Sequence, residues 1–228
     1  MKKITTAHLR VLESCGSFGY LATREIAQLA WPNMSTASAL STAQTATSKL
    51  RAAGLLLQRP LEGDSLSRAY VLTSRGADLL NDHYGDDWMV LGEPTTQTWF
   101  GDGYDLATLQ WLARKPLIEL VHQMSAATGL RAIGQRGTSR GFLGLRQFRH
   151  FEAVLVDEQD EVVFGVYLAH GATGIASGFV RKLALGPTPF LIAAGSPSAL
   201  NALARRRDIS SPSMAEYLSA RLPAGIIA

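Results

Sequence analysis

Residues 38–80 constrain the fold of this chain more than any other stretch, because their pattern changes from helix to hairpin to helix. Small apolar residues first recur at helical spacing between Ser, Thr and Gln, at Leu40, Ala43, Ala46, Thr47 and Leu50. Gly54 then follows where a helix is expected to end with a residue at positive φ. The pattern predicts a helix over residues 38–53.

The hairpin is predicted from two short apolar runs, residues 55–57 and 69–72, on either side of a polar stretch. Turn-forming residues occupy 62–65, which places the tip there. Thr73 is positioned to accept a hydrogen bond from a first-turn amide, so a second helix is predicted from there through Leu80.

Two further helices are predicted upstream, one over residues 6–14 that ends near Gly16 and one over residues 24–31. Thr23 is the expected N-cap of the second, and Pro32 ends it. Helices followed by a hairpin and a last helix are typical of a winged helix-turn-helix. We therefore predict such a domain over residues 1–83, with 38–53 as recognition helix and 60–68 as wing.

The predicted recognition helix carries short polar side chains suited to reading base edges, namely Ser38, Ser41, Thr42, Gln44, Thr45 and Ser48. Basic residues near it are expected to contact flanking phosphates: Lys49, Arg51, Arg59 and Arg68. The pattern indicates double-stranded DNA binding. The alternative is a Ser- and Thr-rich surface helix over an ordinary hairpin.

Composition constrains the fold and the possible partners less tightly than this pattern does. With 46% hydrophobic residues, the 228-residue chain can bury a core. A net charge of +3 permits nucleic-acid binding without requiring it. The one cysteine, Cys15, excludes an internal disulfide and is expected to be buried. With no secretory signal and no membrane-length apolar run in the sequence, the expected location is the cytoplasm.

Residues 84–105 are predicted to be an ordered linker, whose tryptophans, Trp88 and Trp99, alternatively mark a dimer contact. Residues 106–208 are predicted to form a small α/β domain with a mixed sheet, followed by a tail, 209–228. Its expected helices are 106–127, with a candidate break at Pro116, 173–185 and 198–207. Its expected strands are 130–133, 150–156, 161–169 and 189–194. The fold class is thus α/β (α+β).

This second half resembles the restriction-endonuclease-like fold in its order of elements. Together the halves resemble the replication-relaxation family of plasmid and conjugative-element proteins, on the strength of residues 73–80 after the wing and of the strand pair in 149–171. The resemblance implies a DNA-handling protein of a mobile element, with an endonuclease-like domain behind a winged helix.

This chain departs from the metal-binding motif of that fold. A nuclease of this fold needs an acid on one strand and an acid-x-lysine pair on the next, to hold a divalent metal and the attacking water. Glu152 is the nearest acid on the first strand, whereas the second carries Tyr167 and Ala169 at the matching positions. We therefore predict a catalytically inactive domain, no metal or other cofactor and no enzyme activity. A metal-dependent nicking relaxase that uses Glu152 is the alternative.

Residues 131–149, which we call the arginine segment, contain five arginines and no acid, interleaved with Phe142 and Phe148. As a loop they would suit phosphate contact, through Arg136 and Arg140 above all. The alternative is a solvated loop whose arginines pair with the acids of 157–161.

The sequence thus predicts a sequence-specific double-stranded-DNA-binding protein, either a transcriptional regulator or an accessory factor of a plasmid or conjugative element. Winged-helix regulators commonly bind two-fold sites as dimers, so a homodimer is expected. Other mobile-element proteins are further expected partners, and a membrane is not. A ligand-sensing regulator ranks below these readings.

Overall fold

A computed structural model describes residues 4–61, 64–84, 106–140, 142–169 and 190–194 of the chain. These residues form a mixed α and β structure with two small sheets. The predicted linker from residue 85, the predicted helices 173–185 and 198–207 and the predicted tail lie outside the described residues. No helix in the described ranges combines the length and apolar character needed to cross a bilayer.

Four helices and a three-stranded antiparallel sheet make up the first half. The helices are α1 (Thr6–Phe18), α2 (Thr23–Ala30), α3 (Thr36–Ala52) and α4 (Ser74–Tyr84). The strands are β1 (Leu21–Ala22), β2 (Leu56–Leu61) and β3 (Asp64–Leu72), in the order β1-β3-β2.

Two of the predicted helix-end signals are confirmed. Gly54 follows α3 with φ at 72°, a conformation that glycine adopts without strain. Thr73 Oγ1 accepts a 3.0 Å hydrogen bond from the Gly76 N–H at the start of α4. Signals that the sequence displays directly, at Gly54 and Thr73, therefore mark the end of α3 and the start of α4.

Two other helix-end predictions were wrong. The helix α1 continues past Gly16 to Phe18, because every residue from 11 to 18 is buried and tertiary packing outweighs the weak helix propensity of glycine. Thr23 is the first residue of α2 rather than its cap. The cap residue is Ala22, whose N–H donates a 2.7 Å hydrogen bond to Glu25 Oε2.

The second half pairs a long helix with a four-stranded sheet. Its helices are α5 (Leu106–Thr128), α6 (Gln135–Arg140) and a kinked 3₁₀ segment, η1 (Phe142–Phe148). Its strands are β4 (Arg131–Gly134), β5 (Ala153–Val156), β6 (Val162–Ala169) and β7 (Phe190–Ala194), in that spatial order. Neighbouring strands are antiparallel except β6 and β7, which are parallel, so the sheet is mixed as predicted.

Two details of this half differ from expectation. The helix α5 is continuous through Pro116 rather than broken there. The strand β5 begins at Ala153 and not at residue 150, because the preceding residues turn back on η1, where the Phe151 N–H donates to Phe148 O over 3.0 Å.

Among the described elements, the helix α1 packs against parts of both halves. It contacts α2, α3 and α4 on one side and β4 and α6 on the other, within one continuous hydrophobic core. Leu12 of α1 and Ile118 of α5 are almost completely buried. The approach to β4 is so close that a Cβ at Gly134 would lie 2.5 Å from Ser17 O. Only glycine permits that contact.

A partly buried ionic cluster adds a polar connection between the halves. Glu13, on α1, accepts hydrogen bonds from Tyr84 Oη, at the end of α4, and from Arg131 Nη1 of β4, the latter at 3.0 Å. Arg131 also pairs with Asp160 in the β5–β6 turn. Burial raises the pKa of Glu13, and the neighbouring Arg131 only partly offsets that rise. The cluster therefore ties α1, α4, β4 and the turn together.

Candidate nucleic-acid interface

The helix α3 has one buried and one exposed face. Its buried residues are small or apolar and are Ala39, Ala43, Ala46, Thr47 and Leu50. Opposite them lies a continuous exposed face, which we call the α3 face, formed by Ala37, Ser38, Ser41, Gln44, Thr45, Ser48 and Ala52, with Lys49 and Arg51 at its edges. Every side chain along the centre of this face is short, so another molecule can approach the helix backbone closely.

Five of the six residues predicted to read base edges are exposed on the α3 face. The exception is Thr42, which is half-buried and donates its hydroxyl hydrogen to Ser38 O at 2.8 Å. This back-bond within the helix uses up the donor of Thr42. Ser38 accepts a 2.9 Å hydrogen bond from the Ser35 hydroxyl at the helix start and can still donate its own hydrogen.

The two basic residues of α3 occupy opposite edges of this face. At the helical angle of about 100° per residue, Lys49 and Arg51 point about 160° apart around the axis. Lys49 is exposed, and its ammonium group forms no hydrogen bond or ion pair with the residues that the structure describes. Arg51 is also exposed, and its Nη1 donates to Gln58 Oε1 on β2, which orients the guanidinium. The face is thus neutral and polar along its centre and cationic on both sides.

No acidic residue interrupts this surface in sequence. Between Glu25 and Glu62 the chain contains no Asp or Glu at all, and this interval includes all of α3. His8 of α1 lies near enough to Lys49 for that charge to reinforce the effect of burial, and together they lower the pKa of His8. Lys49 gives this edge of the face a positive charge, which attracts anions.

The two wing arginines differ in position. Arg59 pairs with Ala69 and is half-buried, whereas Arg68 pairs with Pro60 and is exposed. Since side chains alternate across a strand, Arg59 and Arg68 belong to opposite faces of the hairpin. Arg68 shares its face with Gln58, the residue that contacts Arg51. Of the two, Arg68 is the one placed beside the α3 face.

The arginine segment is not the loop that the sequence predicted. It consists of β4, α6 and η1, with Arg131 committed to Glu13 and Asp160. The expectation that its arginines pair with the 157–161 acids is therefore met by Arg131.

The other predicted contacts of this segment are not on a free loop either. Arg136 is half-buried on α6, where it lines a cavity of about 170 Å³ together with Ser17 and Glu152. Arg140 is the last residue of α6, and its side chain lies outside the described residues.

Glu152, the candidate nuclease ligand, lies next to the first residue of β5 and is half-buried. Its backbone N–H donates to Val166 O at 2.9 Å, so it lies beside Tyr167 of β6. Within the described ranges, no three His, Cys, Asp or Glu side chains come together in a group able to hold a metal ion.

Sequence reasoning missed two features of the α3 face. Exposed Ala37 and Ala52 extend it at both ends, and the helical angle would have placed them there. Gln58, which holds Arg51, is separated from it by seven residues and a turn, and no local pattern indicates that contact.

The chain was compared with protein-family models, with curated proteins and with solved structures, and none of them matches it significantly.

Proposed function

We propose that this protein binds double-stranded DNA in a sequence-specific manner through the α3 face, as a winged helix-turn-helix protein. In this proposal α2 and α3 form the helix-turn-helix, α3 enters the major groove and the β2–β3 hairpin is the wing. The observation that carries the proposal is the α3 face itself, polar and short in its centre with Lys49 and Arg51 at opposite edges.

The chemistry of that face matches a major groove. Hydroxyl and amide groups such as those of Ser41, Gln44 and Thr45 donate to and accept from base edges, whose donor and acceptor pattern is distinct for each base pair. The phosphates of the two strands line the two sides of the groove. Cations at both edges of a recognition helix therefore face one strand each, which positions the helix without reading sequence.

For the second half we propose a supporting scaffold that resembles the restriction-endonuclease-like fold, in a regulator or accessory factor of a mobile element. Its mixed sheet packs on α1, directly behind the proposed reader. Glu152 is half-buried, and the positions beside it on β6 carry no acid or lysine. We therefore assign this half a structural and regulatory role and not nuclease chemistry.

The test is a mobility-shift titration on the duplex immediately upstream of the protein's own coding region, repeated over a range of salt concentrations. We expect a discrete complex that survives non-specific competitor DNA. Each phosphate contact contributes about 0.9 to the slope of log affinity against log salt. Lys49→Ala and Arg51→Ala should therefore each lower the magnitude of the slope by about that amount.

Arg146→Ala is the matched control, because Arg146 is an exposed arginine of η1, remote in sequence from α3. It should leave both affinity and slope unchanged. Unchanged slopes in both α3 variants, or an equal loss in the control, would contradict the assignment of the α3 face. A complex removed by competitor would contradict sequence specificity.

A further inference from the structure

A cavity of about 320 Å³ opens between α1, the α2–α3 connection and the start of β4. Its walls are mostly apolar, formed by Leu29, Trp31, Pro32, Met34 and Leu130. Three charged side chains, Arg10, Glu13 and Arg131, converge on it. Small-molecule sites typically have about this volume or more, with apolar walls and a few polar groups that orient the ligand.

The three charged groups of this cavity are not equally available to a ligand. Both carboxylate oxygens of Glu13 already accept hydrogen bonds, from Tyr84 and Arg131, and Arg131 is divided between Glu13 and Asp160. Arg10 is exposed, and the hydrogen bond that its guanidinium forms with the described residues is long, 3.5 Å from Nη1 to Ala30 O. A guanidinium keeps further N–H donors in such a position. Among the three charged side chains of the cavity, the one left open to a ligand is therefore a cation.

The cavity also touches the element that positions α3. Residues 31–34 connect α2 to α3, and the Met34 N–H closes their turn by donating to Trp31 O at 3.1 Å. Ser35, the next residue, caps α3. Met34 is 42% exposed, the one large apolar residue of the described chain left open to this degree. A molecule seated against Trp31 and Met34 would bear directly on the start of α3.

We propose that this cavity binds a small organic carboxylate with an aromatic or branched aliphatic body, and that its occupancy changes the affinity of α3 for DNA. The carboxylate pairs with Arg10 at the mouth, and the body packs on Trp31, Met34 and Leu130. The regulatory part rests on the proposed DNA binding. Coupling between two sites typically amounts to a change in affinity of about 5-fold to 150-fold.

The first experiment needs no DNA. The full-length protein is titrated calorimetrically with benzoate, phenylacetate, indole-3-acetate and 4-methylpentanoate, and with the neutral amide of each. We expect at least one acid to bind about tenfold or more tightly than its amide, because a charge-assisted hydrogen bond to Arg10 is lost in the amide. If no acid binds better than its amide, the proposal is wrong.

Two variants locate the site. Arg10→Met should remove the preference for the acid, whereas Arg24→Met, at an exposed arginine of α2, should keep it. Ala132 lines the cavity on β4, so Ala132→Met should narrow the cavity and abolish binding of acid and amide alike. Binding that survives both Arg10→Met and Ala132→Met would place the ligand elsewhere and overturn the assignment.

The second experiment measures DNA affinity with and without the carboxylate that binds best. A change of about 5-fold or more that is absent in Ala132→Met supports regulation, and an unchanged affinity refutes it. Failure of the proposed function is distinguishable, because it would appear as no DNA complex in the absence of any carboxylate. The calorimetry would still show whether the cavity binds a carboxylate.

Discussion

The α3 face and the arginine segment carry their polar groups in opposite ways. The arginine segment has five arginines, whereas α3 has one lysine and one arginine. Yet Arg131 is held in ion pairs and Arg136 lines a cavity, while Lys49 is exposed and unpaired among the described residues. The number of basic residues in a stretch therefore does not locate a phosphate-binding surface. What matters is whether the rest of the fold already uses them.

The surroundings explain the difference. Three acids, Glu13, Glu152 and Asp160, lie around the arginine segment, brought there by α1 and by the β5–β6 pair. The α3 face has no acid in its own sequence interval, and the helix packs through Ala and Leu. We infer that the first region uses Arg131 for cohesion and that the second uses its cations for binding, a contrast that substitutions can test.

The largest effect is expected from Thr45→Glu, which places an acid at the centre of the α3 face. A like charge beside the phosphates costs several kcal/mol, so DNA affinity should fall by about 100-fold or more. Thr45 is exposed, and the free energy of unfolding should change by no more than about 0.5 kcal/mol. A mobility shift measures the DNA affinity, and urea unfolding measures the free energy of unfolding. A folded variant that still binds DNA normally would refute the role of this face.

The next effect is expected from Arg131→Met, which leaves Glu13 buried without its main cation. Breaking a buried pair costs about 3–5 kcal/mol, and we expect the lower end because the Arg131 side chain is 32% exposed. Urea unfolding measures the loss. Arg146→Met, at an exposed arginine of the same segment, is the control and should be near neutral. Equal stability of the two variants would show that Arg131 does not hold the halves together.

Glu13→Gln tests the same cluster through the pH dependence of stability. Burial raises the pKa of Glu13, so the folded state holds that proton more tightly than the unfolded chain does. The contribution of Glu13 to stability is therefore present below its unfolded pKa of about 4.3 and is lost as pH rises through the higher folded value.

The measurement is the free energy of unfolding of both proteins at several pH values from about 4.5 to about 7. The wild type should lose stability relative to Glu13→Gln as pH rises. Glu158→Gln, at an exposed position of the β5–β6 turn, is the control and should track the wild type more closely. A wild type that gains stability relative to Glu13→Gln would reverse the sign and contradict this account of the cluster.

The smallest expected effect is a difference in DNA affinity between variants of two threonines on α3, Thr42 and Thr45. Thr45→Val should weaken specific DNA binding by about fivefold, since one hydrogen bond contributes roughly 1 kcal/mol. Thr42→Val should change it by less than about twofold, because the hydroxyl of Thr42 already donates to Ser38 O. Equal losses in the two variants would mean that Thr42 turns outward on DNA.

Local signals account for the parts of this fold that the sequence predicted well. The spacing of Ala43, Ala46 and Leu50 is enough to orient α3, and Gly54 and Thr73 act within a few residues of themselves. These features depend on backbone geometry and nearest turns, which a single sequence displays directly.

Apart from the local error at the Thr23 cap, the main errors concern contacts between residues far apart in sequence. Arg131 meets Glu13 across 118 residues, and no pattern near either one indicates the other. The register of the β2–β3 hairpin, which separates Arg59 from Arg68, depends on strand pairing and on an irregularity at residues 60–61. A stretch rich in glycine and arginine looked like a loop, whereas packing of α6 against α1 makes it helical.

The central claim is that the α3 face lies in the DNA groove, and proximity cleavage tests it most directly. Cys15 is the one cysteine of the chain, and burial raises the pKa of its thiol, so an introduced surface cysteine can be labelled selectively. Ala52→Cys, at the end of the α3 face, and Gln147→Cys, exposed on η1, are each coupled to an iron-chelate cleavage reagent. We predict strand cuts confined to the bound site from position 52 and none from position 147. Cuts from position 147 alone, or none from position 52 in a complex that still forms, would contradict the claim.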